Sequence, residues 1–218
     1  MTRFRSVLLL QRPAGGASTV SRVRVKGDQD YLQDQLDRRK LDQYMDPAAS
    51  EALFARRVLL VEGHGDRLAA EFIAHELDLD LDAESLSVIP CGGKTAIPFF
   101  GRMCRALGIP CVVLHDEDLH TADSDEPLSK RQLEDNARAP QQNADIEDAV
   151  GEPSVVFKMQ PSLEATLGIG RDASHKPTKV VQRLTELGLK GAPQGLVDAV
   201  RALAEETPSS SNGSAKVG

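Results

Sequence analysis

Five acidic side chains, Glu62, Asp66, Asp116, Asp118 and Glu164, end or closely follow apolar runs in this 218-residue chain. Carboxylates gathered in one place suit one kind of chemistry above others. They hold hard divalent cations, which take oxygen ligands and keep waters in their shell. Without a cation they repel one another and resist ionisation. Asp116 and Asp118 stand two apart, so on an extended strand end both side chains point the same way and reach one ion. The ordinary alternative is a set of acids that cap helices or decorate loops. Asp66, at the start of a helical pattern, reads equally well as a cap, and Glu164 as a first-turn partner of a helix dipole. For Glu62, Asp116 and Asp118 the placement at two strand ends weighs against that alternative.

The elements that must position these acids follow from the apolar pattern. Val58-Leu59-Leu60-Val61 runs straight into Glu62-Gly63-His64-Gly65-Asp66. A short continuous apolar run bounded by glycines is the pattern of a strand buried on both faces of a parallel sheet. Ala69, Phe72, Ile73 and Leu77 then recur at helical spacing. Residues 85–90 form a second strand, Cys91-Gly92-Gly93-Lys94-Thr95 a glycine turn, and residues 96–107 a second helix. Cys111 to His115 is a third strand that again runs into acids, Asp116-Glu117-Asp118. Helices are expected over 127–137 and 143–150, broken around Pro140. A fourth strand spans 154–159, and two amphipathic helices follow, the first introduced by Lys176-Pro177 and the second over Gln194–Ala204. Strands alternating with helices of about a dozen residues imply parallel pairing with right-handed crossovers. In such sheets ligands bind at the carboxyl ends of the strands, which is where Glu62 and Asp116 fall.

Composition narrows the class. Apolar residues make up 40% of the chain, with no Trp and two Tyr, so the core is aliphatic. No run approaches the roughly 18 apolar residues of a membrane span, and Val7–Leu10 is too short for a signal peptide, so a cytoplasmic location is expected. Cys91, Cys104 and Cys111 form no Cys-x-x-Cys pair and read as reduced, buried thiols. The net charge of −7 is uneven: residues 1–57 carry 11 basic and 7 acidic side chains, residues 58–126 carry 4 and 14. Bulk charge does not mark a nucleic-acid binder, yet acids converging on bound cations would invert the local field. Residues 3–10 and 18–26 read as strands with no sheet of their own, and 48–56 as a helix leading into the Val58 strand.

These motifs in this order resemble the Toprim domain, the metal-binding fold shared by topoisomerases and bacterial primases. The carriers are an apolar strand ending in Val61-Glu62-Gly63 and a later one ending in Leu114-His115-Asp116-Glu117-Asp118. The finer resemblance is to the OLD (overcoming lysogenization defect) family nucleases. It rests on Leu53-Phe54-Ala55-Arg56 leading into Val58–Asp66, then Cys91-Gly92-Gly93-Lys94, Leu107-Gly108-Ile109-Pro110, Asp116–Asp118, Pro161-Ser162-Leu163-Glu164 and Lys176-Pro177. The resemblance implies an α/β fold, a Toprim-like parallel four-stranded sheet flanked by helices with a helical C-terminal extension. Residues 51–206 would be the Toprim catalytic domain and 207–218 a disordered tail. Residues 1–50 would be an extension resembling the last strands of an ATPase domain.

The implied activity is Mg²⁺- or Mn²⁺-dependent DNA cleavage by an endonuclease or nickase with two ions. Glu62, Asp66, Asp116, Asp118 and Glu164 would be the metal ligands. Glu62, Asp116 and Asp118 would also be catalytic, together with Lys176, which would stabilise charge on the transition state. Lys176 precedes Pro177, which puts it in extended backbone at a helix N-terminus, an anion-favouring place. DNA is the implied partner, with a homodimer compatible and no membrane. Family members carry an ABC-type ATPase domain ahead of the Toprim region; no Walker A sequence occurs here, so the expectation is a standalone Toprim protein, a fragment of a longer one, or half of a split system with an ABC-type ATPase domain or subunit supplied separately. The rival is a non-catalytic Toprim module that binds DNA or that ATPase. Gly92-Gly93-Lys94-Thr95 lacks the first glycine of a phosphate loop, since position 88 is Val88, though such a turn could still set Lys94 beside a DNA phosphate. His64, His115 and His120 fit no standard zinc spacing. A primase would need further subdomains, and a topoisomerase would need a nucleophilic Tyr beyond Tyr31 and Tyr44.

Overall fold

The structure, a computed structural model, describes residues 8–11, 18–22, 50–122, 127–152, 154–170 and 174–205. The expectations for Tyr31, Tyr44 and the 207–218 tail lie outside them. Two short strands, β1 (Leu8–Gln11) and β2 (Thr19–Arg22), come first. The main unit then alternates β3 (Arg57–Val61), α1 (His64–Glu76), β4 (Leu86–Pro90), α2 (Ile97–Leu107) and β5 (Cys111–Asp116). It continues with α3 (Lys130–Val150), β6 (Val155–Met159), α4 (Leu163–Thr166), α5 (Lys176–Gly191) and α6 (Gln194–Ala204). The four strands β4-β3-β5-β6 form one parallel sheet in that order, as the strand–helix alternation requires. No described helix is long and apolar enough to cross a membrane.

Burial explains why β3 is apolar without interruption. Val58 and Leu60 face one side of the sheet, against Phe100, Met103 and Leu107 of α2 and Ile146 and Val150 of α3. Leu59 and Val61 face the other, against Ile73 of α1, Leu184 of α5 and Val200 of α6. All four are fully buried, so neither face can tolerate a polar residue. Each such side chain contributes about 1.5–3 kcal/mol by leaving water. Cys91, Cys104 and Cys111 are free and buried.

Three expectations need correction. The N-terminal strands do have a partner: they pair with each other, antiparallel, with Leu8 opposite Arg22 and Leu10 opposite Val20. The helix expected over 48–56 ends early, giving way to a turn after Glu51, and Arg56 N–H instead donates to the Ser85 carbonyl at 2.7 Å. The third concerns α3, which runs unbroken from Lys130 to Val150 through Pro140. A proline inside a helix costs about 3 kcal/mol or more through a lost hydrogen bond and a ring clash. Here Pro140 lies on the exposed face, while Ala139, Asn143, Ile146, Ala149 and Val150 bury the opposite one. The start is secured by a capping box: Gln132 N–H donates to Ser129 Oγ, and Ser129 N–H to Gln132 Oε1. Tertiary packing and a good cap outweigh the local break.

The α2–α3 contact gives a direct test of this packing. A Cβ built on Gly101 of α2 would fall 2.7 Å from Val150 Cγ1. Gly101→Ala should therefore destabilise the chain by about 1–2 kcal/mol despite a helix-propensity gain of about 1 kcal/mol. In a Val150→Ala background the same change should become neutral or stabilising. Urea unfolding of the two singles and the double checks both signs; additivity of the pair would refute the close approach.

Candidate metal centre

The carboxyl ends of β3 and β5 lie side by side in the sheet, with Val61 in register with Leu114. Glu62 leaves β3, and its Oε1 accepts the Asp116 backbone N–H at 2.8 Å, tying the two strand ends together. Asp116 is the last residue of β5, and its Oδ1 accepts the Leu163 N–H at 2.9 Å. That bond holds the first turn of α4 beside the strand end and delivers Glu164 to the cluster. Ser162 caps the same turn, its Oγ accepting from Ala165 N–H at 3.2 Å. Asp66 sits in the first turn of α1, with Oδ2 accepting from Gly63 N–H at 2.9 Å. It is thus a cap, as one of its two sequence readings has it, and still a neighbour of the other acids.

Electrostatics shows how close these groups are. Burial, opposed by the Asp116 amide and reinforced by Asp118 and Asp66, pushes the Glu62 carboxyl up to about 7. Burial, with the nearby Glu164 charge, raises Asp66 to about 6. Asp116 is raised furthest, to about 9, by burial and then by Glu62, Asp66 and Glu164. Among the described residues no ion pair engages these three acids. Asp118 and Glu164 differ. Lys94 Nζ lies 2.9 Å from Asp118 Oδ2, and Lys176 Nζ lies 4.0 Å from Glu164 Oε1.

Two expected geometries do not hold. Asp118 is not on an extended strand end: its φ is +57°, in the left-handed region. The chain turns there because Glu117 N–H donates to Met159 O and Asp118 N–H to Pro161 O. Asp118 therefore neighbours Glu62 and Lys94, whereas Asp116 neighbours Glu62, Asp66 and Glu164. Lys176 is not extended either; it is the first residue of α5, with His175 in the left-handed cap position. It reaches the site because α5 packs on α1, where Pro177 Cα stands 3.9 Å from the Cβ position of Gly65. Lys94, which the glycine turn could have set beside a phosphate, is instead buried, with its ammonium on the Asp116 and Glu117 carbonyls and on Asp118. Pattern reading missed that role, and also Asn143, whose Nδ2 donates to the Glu117 carbonyl. His115 Nδ1 lies 2.8 Å from the Asp116 carbonyl, His120 is 3.8 Å from Asp135, and His64 is exposed at the start of α1.

An open cleft of about 720 Å³ lies beside the acids, lined by Asp116, Asp118, Glu164, Lys176, Ser129 and Arg131 among others. A separate hollow of about 470 Å³, lined by Arg57, Cys111 and Val155, opens near the other ends of β3, β5 and β6 and contains none of these acids. The all-oxygen donor set fits Mg²⁺ or Mn²⁺ rather than a soft metal. Among the described residues, however, no three His, Cys, Asp or Glu side chains stand close enough to close on one ion as placed. The cluster is an open one.

Groups held more protonated in the folded state than in the unfolded one stabilise the fold at low pH and lose that contribution as pH rises. For Glu62, Asp66 and Asp116 the window runs from about 4, the ordinary carboxyl value, up to about 9, where burial and the neighbouring acids carry Asp116. In EDTA the melting temperature should fall as pH rises from 5 to 8. Asp116→Asn, which keeps the acceptor for Leu163 N–H, should flatten that slope and raise stability at pH 8. Thermal melts across this range check it; a melting temperature that climbs from pH 5 to 8 would contradict the electrostatic account.

Residues 53–118 match the family described as overcoming lysogenization defect protein-like, TOPRIM domain. The chain is 39% identical over 209 residues to the OLD nuclease of Thermus scotoductus (strain ATCC 700910 / SA-01), an alignment that takes in 95% of this chain and 39% of that protein. The chain thus spans about two fifths of the length of that curated relative. Among solved structures it resembles the C-terminal region of the Xanthomonas campestris pv. campestris OLD protein, at 19% identity and a TM-score of 0.40, covering 69% of this chain and 95% of that one. It also resembles the corresponding region of the Burkholderia pseudomallei OLD protein, at 20% identity and 0.35, covering 69% and 96%. Glu62, Asp66, Asp116 and Asp118 all lie within the segment that matches the OLD-like Toprim domain.

Proposed function

We propose that this chain is the nuclease part of an OLD-type system, cleaving phosphodiester bonds in DNA with Mg²⁺ or Mn²⁺ as an endonuclease or nickase. The observation that carries this is the gathering of Glu62, Asp66, Asp116 and Glu164 at the ends of β3 and β5, with burial and mutual repulsion holding three of them above the usual carboxylate range. Carboxylates so placed gain from binding a cation. The name of the Thermus relative supports the same reading. Glu62, Asp66, Asp116, Asp118 and Glu164 would hold the ions, two in number. Bound divalent ions supply an activated water and charge stabilisation for the leaving oxygen. Burial raises the Glu62 carboxyl to about 7 in the cation-free cluster; a bound divalent ion would lower it again and hold Glu62 ionised as a ligand. Lys176 stands on the cleft wall at the start of α5, where its charge and the helix N-terminus favour the scissile phosphate. Residues 51–206 form the catalytic domain in this reading, residues 1–50 are an extension that resembles the remnant of an ATPase domain, and the partner is an ABC-type ATPase domain or subunit supplied separately.

One observation favours the rival, a non-catalytic module that binds DNA or the ATPase: no three described side chains close on an ion. Supercoiled plasmid incubated with the chain and Mg²⁺, Mn²⁺ or Ca²⁺ separates the two. Nicking should appear with Mn²⁺ or Mg²⁺ and fall by at least about 100-fold in Glu62→Ala and Asp116→Ala. Lys176→Ala should lower the turnover rate about 10²–10³-fold, the usual cost of a lost charge-stabilising donor. Nicking that survives Glu62→Ala and Asp116→Ala would be a contaminant's. Tight metal binding without cleavage would favour the module.

A further inference from the structure

Among the described residues, three of the four buried polar or charged side chains, Lys94, His115 and Asn143, converge on one short stretch of backbone. They come from three elements: the turn after β4, β5 itself, and α3. Lys94 Nζ donates to the Asp116 carbonyl at 2.5 Å, to the Glu117 carbonyl at 3.3 Å and to Asp118 Oδ2 at 2.9 Å. An ammonium has three protons to give, and here all three have acceptors. Asn143 Nδ2 shares the Glu117 carbonyl, at 3.3 Å.

The route by which Lys94 gets there is built for it. Strand β3 lies between β4 and β5, so a residue leaving β4 must cross the end of β3 to touch the turn after β5. Gly92 and Gly93 make the crossing with φ of +83° and +123°, backbone that L side chains rarely adopt. Gly93 N–H pins it by donating to the Glu62 carbonyl at 2.7 Å. A lysine 7% exposed is costly to bury unless fully paired, and the full pairing is what the turn supplies.

We infer that Lys94 is a positioning residue of the metal centre: its ammonium, locked onto the Asp116 and Glu117 carbonyls, fixes the left-handed turn and aims the Asp118 carboxylate. This rests on the metal-dependent reading above and deepens it. Lys94 acts through Asp118, the one side chain among the described residues that its ammonium bonds. Partners of this kind commonly cost 10- to 100-fold in metal affinity when removed.

The test is a double-mutant cycle read in Mn²⁺ affinity, by calorimetry and by electron paramagnetic resonance of free Mn²⁺. Lys94→Met is the main variant, with circular dichroism to check folding. Lys94→Gln, which keeps a donor, serves if the methionine variant does not fold. Mn²⁺ affinity should fall about 10-fold or more in the otherwise wild-type chain. In an Asp118→Asn background the same change should cost less than about twofold, because its target is gone. Equal losses in both backgrounds would mean general damage and overturn the inference. So would tighter Mn²⁺ binding in Lys94→Met, which would make the ammonium a mere occupant of a cation position. A wild-type chain that binds no Mn²⁺ overturns the metal reading itself, a failure visible before any variant is measured.

Discussion

Acids held together under partial burial repel one another, and burial alone already disfavours their charged forms. The rest of the centre depends on how that repulsion is offset. Glu62, Asp66 and Asp116 are each held by a backbone amide, from Asp116, Gly63 and Leu163 respectively. Asp118 and Glu164 each have a lysine, Lys94 and Lys176. Amides orient a carboxylate without cancelling its charge; an ammonium does both. The cluster is therefore divided into acids that are placed but not neutralised and acids that are placed and paired. The amide bonds also do structural work, since Glu62 joins β3 to β5 and Asp116 joins β5 to α4. Removing one acid would loosen an element boundary as well as the cation site.

The fold was largely legible because its main signal is one-dimensional. Val58–Val61 is apolar at every position, and only a strand covered on both faces needs that, which leads directly to a parallel sheet with helices on each side. The glycines after β3 and β4 mark the same boundary from the other direction. Glu62 and Asp116 were legible for the same reason, as the first acids that buried apolar runs meet. What was not legible depends on contacts across the sheet. Pro140 reads as a break until the buried face of α3 and the Ser129–Gln132 cap are seen to outweigh it. Asp118 reads as extended until Pro161 is found accepting its N–H. Lys94 reads as a surface lysine on a glycine turn, and no spacing rule shows that its acceptors lie two strands away.

Charge distribution bears on how such a centre would meet DNA. Glu62, Asp66, Asp116, Asp118 and Glu164 gather at the ends of β3 and β5, so the cation-free surface around these strand ends repels phosphate. Screening confines that repulsion to about 8 Å at physiological salt. The basic groups that line the cleft, Lys176 and Arg131, are few against it, and Lys176 also faces Glu164. On the nuclease reading, then, cations must do more than chemistry: their charge inverts the field at the place where phosphate must come. Binding of metal and of DNA are then linked, and linkage is reciprocal. Each should tighten the other by the same factor, with the acids at the ends of β3 and β5 as the groups through which the coupling passes. The ammonium of Lys94 does not take part in that exchange, because its three protons are committed to the turn.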